Sequence, residues 1–328
     1  MQLGRYFIGC KCPCDLVDIA WVAKVLVARS RAPSGLIPDL LVENGGMKGA
    51  VLPELITVDD IHDSRIEAFV SLTNVQLRSR LEPEKGLFIA EGEKVITRAL
   101  QAGYEPISFL LEEKWIPSMG QVFACVDQNF SGTPIYVANH EDIEGIAGYE
   151  VTRGALAAFR RKPELSLNEV LQDGRRFVAL EAITNASNVG AIFRTAAALG
   201  IDGVLMDDTC CDPLYRRALR VSMGCALFIP WARFGRADCY GTLFDELHSR
   251  GFTTCALALT SEAKSLRDVD LSGFEKAVMF FGTEGEGLSQ DVISRCDFAV
   301  EIPMTEEVDS LNVVGASAIA CWELSKTA

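Results

Sequence analysis

The sequence is short of histidine, of long apolar runs and of positive charge. Only His62, His140 and His248 occur among its 328 residues. None lies in the loops that carry its motifs, which excludes histidine-based triads and His-ligated zinc catalysis there. No stretch approaches the roughly 18 apolar residues that a bilayer span needs. The best, Leu16 to Ala28, is shorter and contains Asp18 and Lys24. Asp15 and Asp18 also break the pattern of a cleavable leader. Lys and Arg total 31 against 45 Asp and Glu, a net charge of -14. That deficit rules out a blanket of positive potential, so any contact with nucleic acid must be local.

Cysteine is present but unordered. The 11 thiols are odd in number and irregularly spaced, which suits a reducing, cytoplasmic compartment better than a disulfide framework. CKCPC (10–14) offers three thiolates, Cys10, Cys12 and Cys14, with His62 as the sole nearby imidazole. This falls short of a usual zinc set, so no metal is expected. Met47 is a plausible start, with the residues before it a start-site artefact.

The length fits two domains, with a break at RRKPELSLNE (160–169). The expected division is an extension of uncertain structure (1–60), a small α/β domain (61–165) and a larger α/β domain (166–328). In the first half, Arg65 to Leu81 has helical spacing, LFIAEGE (87–93) is a strand entering a helix to about Ala102, ISFLLEE (107–113) is a strand, and PIYVANHEDI (134–143) is strand, Asn cap and helix. In the second half, RFVALEAI (176–183), GVLM (203–206), FTTCALAL (252–259), AVMFFG (277–282) and FAVEIPM (298–304) are continuous apolar runs. Such runs mark parallel strands buried on both faces. Ligands of such a sheet lie in loops at the carboxyl ends of its strands.

Three of those loops stand out. In TNASNVGAIFRTAAALG (184–200), Val189, Ile192, Phe193, Ala196 and Leu199 share one helix face. Arg194 points away from that face, among Gly190, Ala191 and Ala198. A face so small and uncharged should be covered by another element or subunit, which aims Arg194 at an anion. Asn188 has the ordinary reading of an N-cap. GTEGEGLS (282–289) carries three glycines but neither a P-loop nor a dinucleotide ending. Glu284 and Glu286 repel phosphate and suit a neutral or cationic ligand, such as the sulfonium of S-adenosylmethionine. In IPMTEEVDSLNVVGASAIACWEL (302–324), Ser310 is the expected N-cap and Leu311, Val314, Ala318, Ile319 and Trp322 form a helical stripe. Capping does not account for Asn312. Arg194, Glu284, Ser310 and Asn312 can orient and polarise, which fits direct transfer of an activated group.

Together NVGAIFRTA (188–196), FFGTEGEGL (280–288) and EIPMTEEVDSLNV (301–313) resemble, in order, the three motifs of the SpoU (TrmH-like) family of RNA ribose methyltransferases in the SPOUT superfamily. LFIAEGEKVITRAL (87–100) and GYEVTRGALAAFRRKP (148–163) look like that family's N-terminal substrate domain. The resemblance covers roughly 64–325. It implies an α/β chain whose C-terminal parallel-sheet domain is a trefoil knot, preceded by a ribosomal-protein-like RNA-binding domain. Its implied reaction is attack of a ribose 2′-hydroxyl on the methyl of S-adenosylmethionine, with rRNA favoured over tRNA as target. The catalytic positions it implies are Asn188, Arg194, Glu284, Ser310 and Asn312. Those implied for the cofactor are Leu259, Gly282, Ile302 and Leu311. It also implies a homodimer through the catalytic domain. The third motif departs from the family at Glu306 and Glu307. Alternative readings are a tRNA ribose methyltransferase and a non-catalytic RNA-binding relative; an oxidoreductase would need a dinucleotide fingerprint that is missing. Arg216, Arg217 and Arg220, with Arg160, Arg161 and Lys162, are the local basic groups that could meet RNA or remain solvated surface.

Overall fold

Two sheets organise the chain. A computed structural model describes residues 55–60, 62–72, 82–149, 151, 154–235, 240–305 and 310–326, all within one compact unit, Ile37–Ala328. The cysteines at 10–14, Met47, and Glu306 with Glu307 lie outside the described residues.

The N-terminal sheet contains β1 (Leu55–Thr57), β2 (Leu87–Glu91), β3 (Pro106–Leu111), β4 (Ile135–Val137) and β5 (Ala155–Arg160), in the order β1-β4-β3-β5-β2. Its β1/β4 and β3/β4 pairs are parallel, while β5 runs antiparallel to β3 and β2. Helices α1 (Glu93–Gln101), α2 (Gly120–Asn129) and α3 (His140–Ala147) accompany it. Asn139 caps α3 as the sequence predicts, accepting from Asp142 N at 2.9 Å. On one face Phe88 stacks on Phe159 at 5.5 Å and Phe109 meets Phe123 edge-on at 5.5 Å. Fully burying a phenylalanine of this kind contributes about 1.5–3 kcal/mol. Of the helix expected over 65–81, the described part is a 3-10 helix at Ser64–Phe69, and 73–81 lie outside the described residues. Ile66 and Phe69 are the buried residues of that turn.

The second sheet has seven parallel strands. These are β6 (Arg176–Leu180), β7 (Gly203–Asp207), β8 (Trp231–Phe234), β9 (Thr253–Leu257), β10 (Lys264–Ser265), β11 (Ala277–Phe281) and β12 (Phe298–Glu301), ordered β10-β12-β9-β11-β6-β7-β8. The five apolar runs supply β6, β7, β9, β11 and β12. The edge strands β8 and β10 carry no such run and escaped the pattern. The core of one face joins Phe177 and Phe280 to Leu243, Phe244 and Leu247 of α7 (Tyr240–Ser249), with Phe244 stacked on Phe280 at 5.0 Å. A short helix, α4 (Leu167–Leu171), precedes β6 and starts with a complete Ser166–Glu169 capping box.

From β6 the chain steps outward through β7 and β8, then returns to β9 on the far side of β11. Strand direction of travel therefore reverses between β6 and β9, and the loops leaving β6 and β11 part there. Such a switch point is where an open α/β sheet leaves a crevice for ligand. The remaining helices are α5 (Ala186–Ala198) after β6, α6 (Arg216–Val221) after β7, α8 (Gln290–Arg295) after β11 and α9 (Val313–Leu324) after β12. Among the described residues no helix is long and apolar enough to cross a membrane.

Candidate functional site

The loop after β6 begins with Ala182 at a left-handed φ of 54°, which is strained for a residue with a side chain. Buried Asp207 at the end of β7 holds it, accepting from Ala182 N at 3.0 Å while also binding Thr209 N and Cys210 N at 2.9 Å. Asn185, not Asn188, is the N-cap of α5, accepting from Ser187 N at 2.8 Å. The helix starts earlier than the pattern implied, so Asn188 lies inside its first turn with its amide free to act elsewhere. The small face of α5 has two fates. Gly190 is pressed against α6, where a Cβ would come within 2.5 Å of Ala218 O. Arg194 and Ala198 are exposed. Among the described residues Arg194 has no hydrogen-bond or ion-pair partner. It lies near Cys225, whose thiol is pushed up by burial and drawn down by Arg98 and Arg194.

After β11 the backbone folds into a tight hairpin. Thr283 N donates to Gly287 O at 3.1 Å and Gly287 N to Thr283 O at 3.2 Å, leaving Glu284, Gly285 and Glu286 at the tip. Gly282 must be glycine because a Cβ would lie 2.1 Å from Gly287 C and 2.2 Å from Leu288 N. Ser289 N, at the hairpin exit, donates to Glu181 at 2.8 Å, and Tyr240 Oη donates to the other oxygen of that carboxylate at 2.8 Å. Glu181 is a positioning residue that the motif reading missed. Its signal was a lone carboxylate inside the apolar run 176–183.

The third loop enters α9 at Asn312. This residue, rather than Ser310, is the N-cap: its Oδ1 accepts from Val314 N at 2.9 Å. Ser310 is exposed and precedes the first turn. Capping uses one end of the Asn312 amide and leaves the Nδ2 end for the site. The core face of α9 is Val313, Ser317, Ala320, Cys321 and Leu324, not the expected stripe. Leu311, Ile319 and Trp322 are 40%, 42% and 55% exposed.

The three loops meet at one carboxylate. Glu284 Oε1 accepts from Asn188 Nδ2 at 2.7 Å and also from Asn312 Nδ2. Both donors are neutral, so they orient the carboxylate without neutralising it. Arg194 and Ser310 stand outside this node. Of the expected cofactor residues, Gly282 is buried, Ile302 is half-buried, and Leu259, two residues past β9, is 58% exposed like its counterpart Leu311. Exposed aliphatic side chains at the carboxyl ends of strands, beside a glycine-opened hairpin, fit a largely apolar ligand with a polar edge. No group of three metal-binding side chains occurs among the described residues. Among the described thiols, burial pushes Cys255 and Cys321 up to about 12, so these two are protonated at neutral pH.

The basic clusters divide. Arg161 pairs with Asp212 at 2.6 Å, and Lys162 Nζ donates to Ala102 O at 2.5 Å. Arg216 is buried against Glu91. These three are structural. Arg217, which donates to Ser187 Oγ at 2.8 Å, and Arg220 remain exposed beside the site.

A parallel sheet with three loops converging at its switch point defines an open α/β protein with a ligand site at that crevice. Residues 175–322 match the SpoU rRNA Methylase family. The chain is 34% identical over 279 residues to the Mycobacterium bovis protein named "Uncharacterized tRNA/rRNA methyltransferase Mb0905", covering 84% of this chain and 94% of that one. It is 26% identical over 238 residues to 23S rRNA (guanosine(2553)-2'-O)-methyltransferase RlmP of Bacillus subtilis, covering 72% of this chain and 88% of that one. Its fold is similar to the AdoMet-bound rRNA methyltransferase from Sinorhizobium meliloti, with a TM-score of 0.70 at 23% identity over 82% of this chain and 97% of that one. The chain belongs to the SpoU methylase family, and so to the RNA methyltransferases.

Proposed function

We propose that the protein transfers the methyl group of S-adenosylmethionine to a ribose 2′-hydroxyl of structured RNA, with rRNA as the target class. The observation that carries this reading is the meeting of Asn188, Glu284 and Asn312, one residue from each motif, at the carboxyl end of β11. Names of relatives lend support: RlmP acts on 23S rRNA at a 2′-oxygen, and the S. meliloti structure carries AdoMet.

When bound, S-adenosylmethionine supplies a methyl group already activated on a sulfonium. Gly282, Ile302, Leu259 and Leu311 would hold it, the glycine by keeping the hairpin closed and the aliphatic residues by covering apolar surface. Glu284 keeps a negative charge beside a cationic ligand, oriented by the two amides. A ribose hydroxyl is a weak acid and needs positioning and help in losing its proton. Arg194 is effectively always charged and stands free, so it anchors the substrate phosphate and stabilises negative charge developing on the 2′-oxygen. Ser310, exposed two residues before Asn312, would hydrogen-bond substrate. We assign RNA capture to 61–165 and chemistry to 166–328, in a knotted C-terminal domain that works in the cytoplasm.

The uncovered side of α9 fits a homodimer. Ile319 and Trp322 are exposed apolar side chains three residues apart on α9, the kind of surface that an interface covers. Trp322→Glu is expected to leave the fold intact and convert dimer to monomer in light scattering; a wild-type chain that is monomeric and fully active would refute the dimer. The function itself is tested by mapping 2′-O-methyl sites in total RNA with and without the gene, together with calorimetry against S-adenosylmethionine. Loss of one specific rRNA methyl group is expected. No binding at millimolar cofactor would favour a non-catalytic RNA-binding relative, and a lost tRNA methyl group would move the target.

A further inference from the structure

The two sheets meet along one seam, and four arginines close it. At its centre is Glu91, the last residue of β2, with a side chain only 5% exposed. Its carboxylate accepts from Arg216 Nη1 at 2.5 Å and Arg220 Nη1 at 3.3 Å, and from Tyr149 Oη at 3.1 Å. The Arg216 guanidinium is 10% exposed and lies 4.2 Å over the Tyr149 ring. To one side, Arg98 of α1 donates to Met223 O. To the other, Arg161 donates to Leu87 O at 2.7 Å and pairs with Asp212. The contacts of Arg216, Arg220, Arg98 with Met223 and Arg161 with Asp212 grip α6 or the segments next to it.

On its other face α6 touches the catalytic helix. Gly190 of α5 allows the backbone of Ala218 to approach so closely that no side chain would fit. Arg217 of α6 binds Ser187, the residue before Asn188. A rigid path therefore runs from Glu91 through α6 into α5 and on to Asn188 and Glu284. We propose that Glu91 is a positioning residue: through Arg216 and Arg220 it seats α6, and with it α5, so that the N-terminal sheet and the helix carrying Asn188 and Arg194 move as one body. This rests on the methyl-transfer reading for its kinetic consequence, though not for its structural one.

A merely stabilising ion pair could be exchanged for apolar side chains of similar size without loss, because burying charge is costly and such exchanges are often neutral. The positioning role cannot be exchanged in that way, since apolar contact lacks direction. The test is the full-length Glu91→Leu, Arg216→Met double variant. Expected are a melting temperature close to wild type, S-adenosylmethionine affinity within twofold, kcat on total RNA from cells lacking the gene reduced at least tenfold, and faster amide exchange across 186–198. A kcat within twofold of wild type overturns the proposal. If the double variant does not fold, Glu91→Asp keeps the charge one methylene short; about a fivefold loss of kcat is expected, and wild-type kcat overturns the proposal. A wild-type chain that methylates no RNA would sink the function reading, whereas unchanged exchange protection across 186–198 in these variants sinks the positioning role by itself.

Discussion

Glu91 ends a strand and Glu284 sits in the hairpin that follows one; each gathers donors from distant segments, and they serve opposite ends. Glu91 is buried and takes two guanidiniums and a phenol. Glu284 is exposed and takes two neutral amides. Charged donors neutralise a buried carboxylate, which then holds elements together but has nothing left for a ligand. Neutral donors fix a carboxylate in direction and leave its charge in place. A cluster of polar residues therefore announces a site only when its donors leave the central group unspent.

Isosteric removal of each charge breaks the comparison most severely. Glu91→Gln strands two guanidiniums at the seam and is expected to cost about 3–5 kcal/mol of folding stability, as for other broken buried pairs, measurable by urea denaturation. Glu284→Gln should change stability by less than about 0.5 kcal/mol, as surface substitutions usually do, while lowering methyl transfer. Equal stability losses in the two would erase the distinction.

Arg194→Ala carries the same logic to a cation without a partner among the described residues. Loss of one preorganised electrostatic group usually costs about 10²–10³ in kcat, and that loss is expected here with cofactor affinity nearly unchanged by calorimetry. A collapse of cofactor affinity would reassign Arg194 to the cofactor site. Gly282→Ala disturbs Glu284 without touching its chemistry. Overpacking costs about 1–3 kcal/mol, so S-adenosylmethionine affinity should fall by roughly 5–150-fold, and wild-type affinity would show that the hairpin can open at no cost.

The last effect is one of pH. Cys255 and Cys321 are raised from 9.0 to about 12 by burial, whereas an unfolded chain ionises them near the ordinary value. Raised values mean that their contribution is fully present below about pH 9 and is lost as pH climbs from there to about 12. Stability measured across that window should fall, and a Cys255→Ala, Cys321→Ala variant should show a shallower decline.

The central strands were legible because Phe177 to Leu180 and Ala277 to Phe281 are apolar without interruption. Strands β8 and β10 were not, since WARF and KS at the edges of the sheet need no such run. Asn188, Glu284 and Asn312 were legible as residues but not as a contact, because 96 positions separate the first pair and 28 the second. The caps went astray for one reason: Asn185 and Asn188 are both good caps, as are Ser310 and Asn312, and pattern alone cannot choose between two such residues a turn apart.

By itself the sequence determined an acidic α/β chain, the central strands of its parallel sheet and the three motif loops. These follow from local chemistry: side-chain periodicity, glycine placement and charge. Tertiary structure alone decided which carboxylate is spent and which is free. It also decided which arginines face inward and that the apolar stripe of α9 faces out, because each depends on what a distant segment brings within a few ångströms.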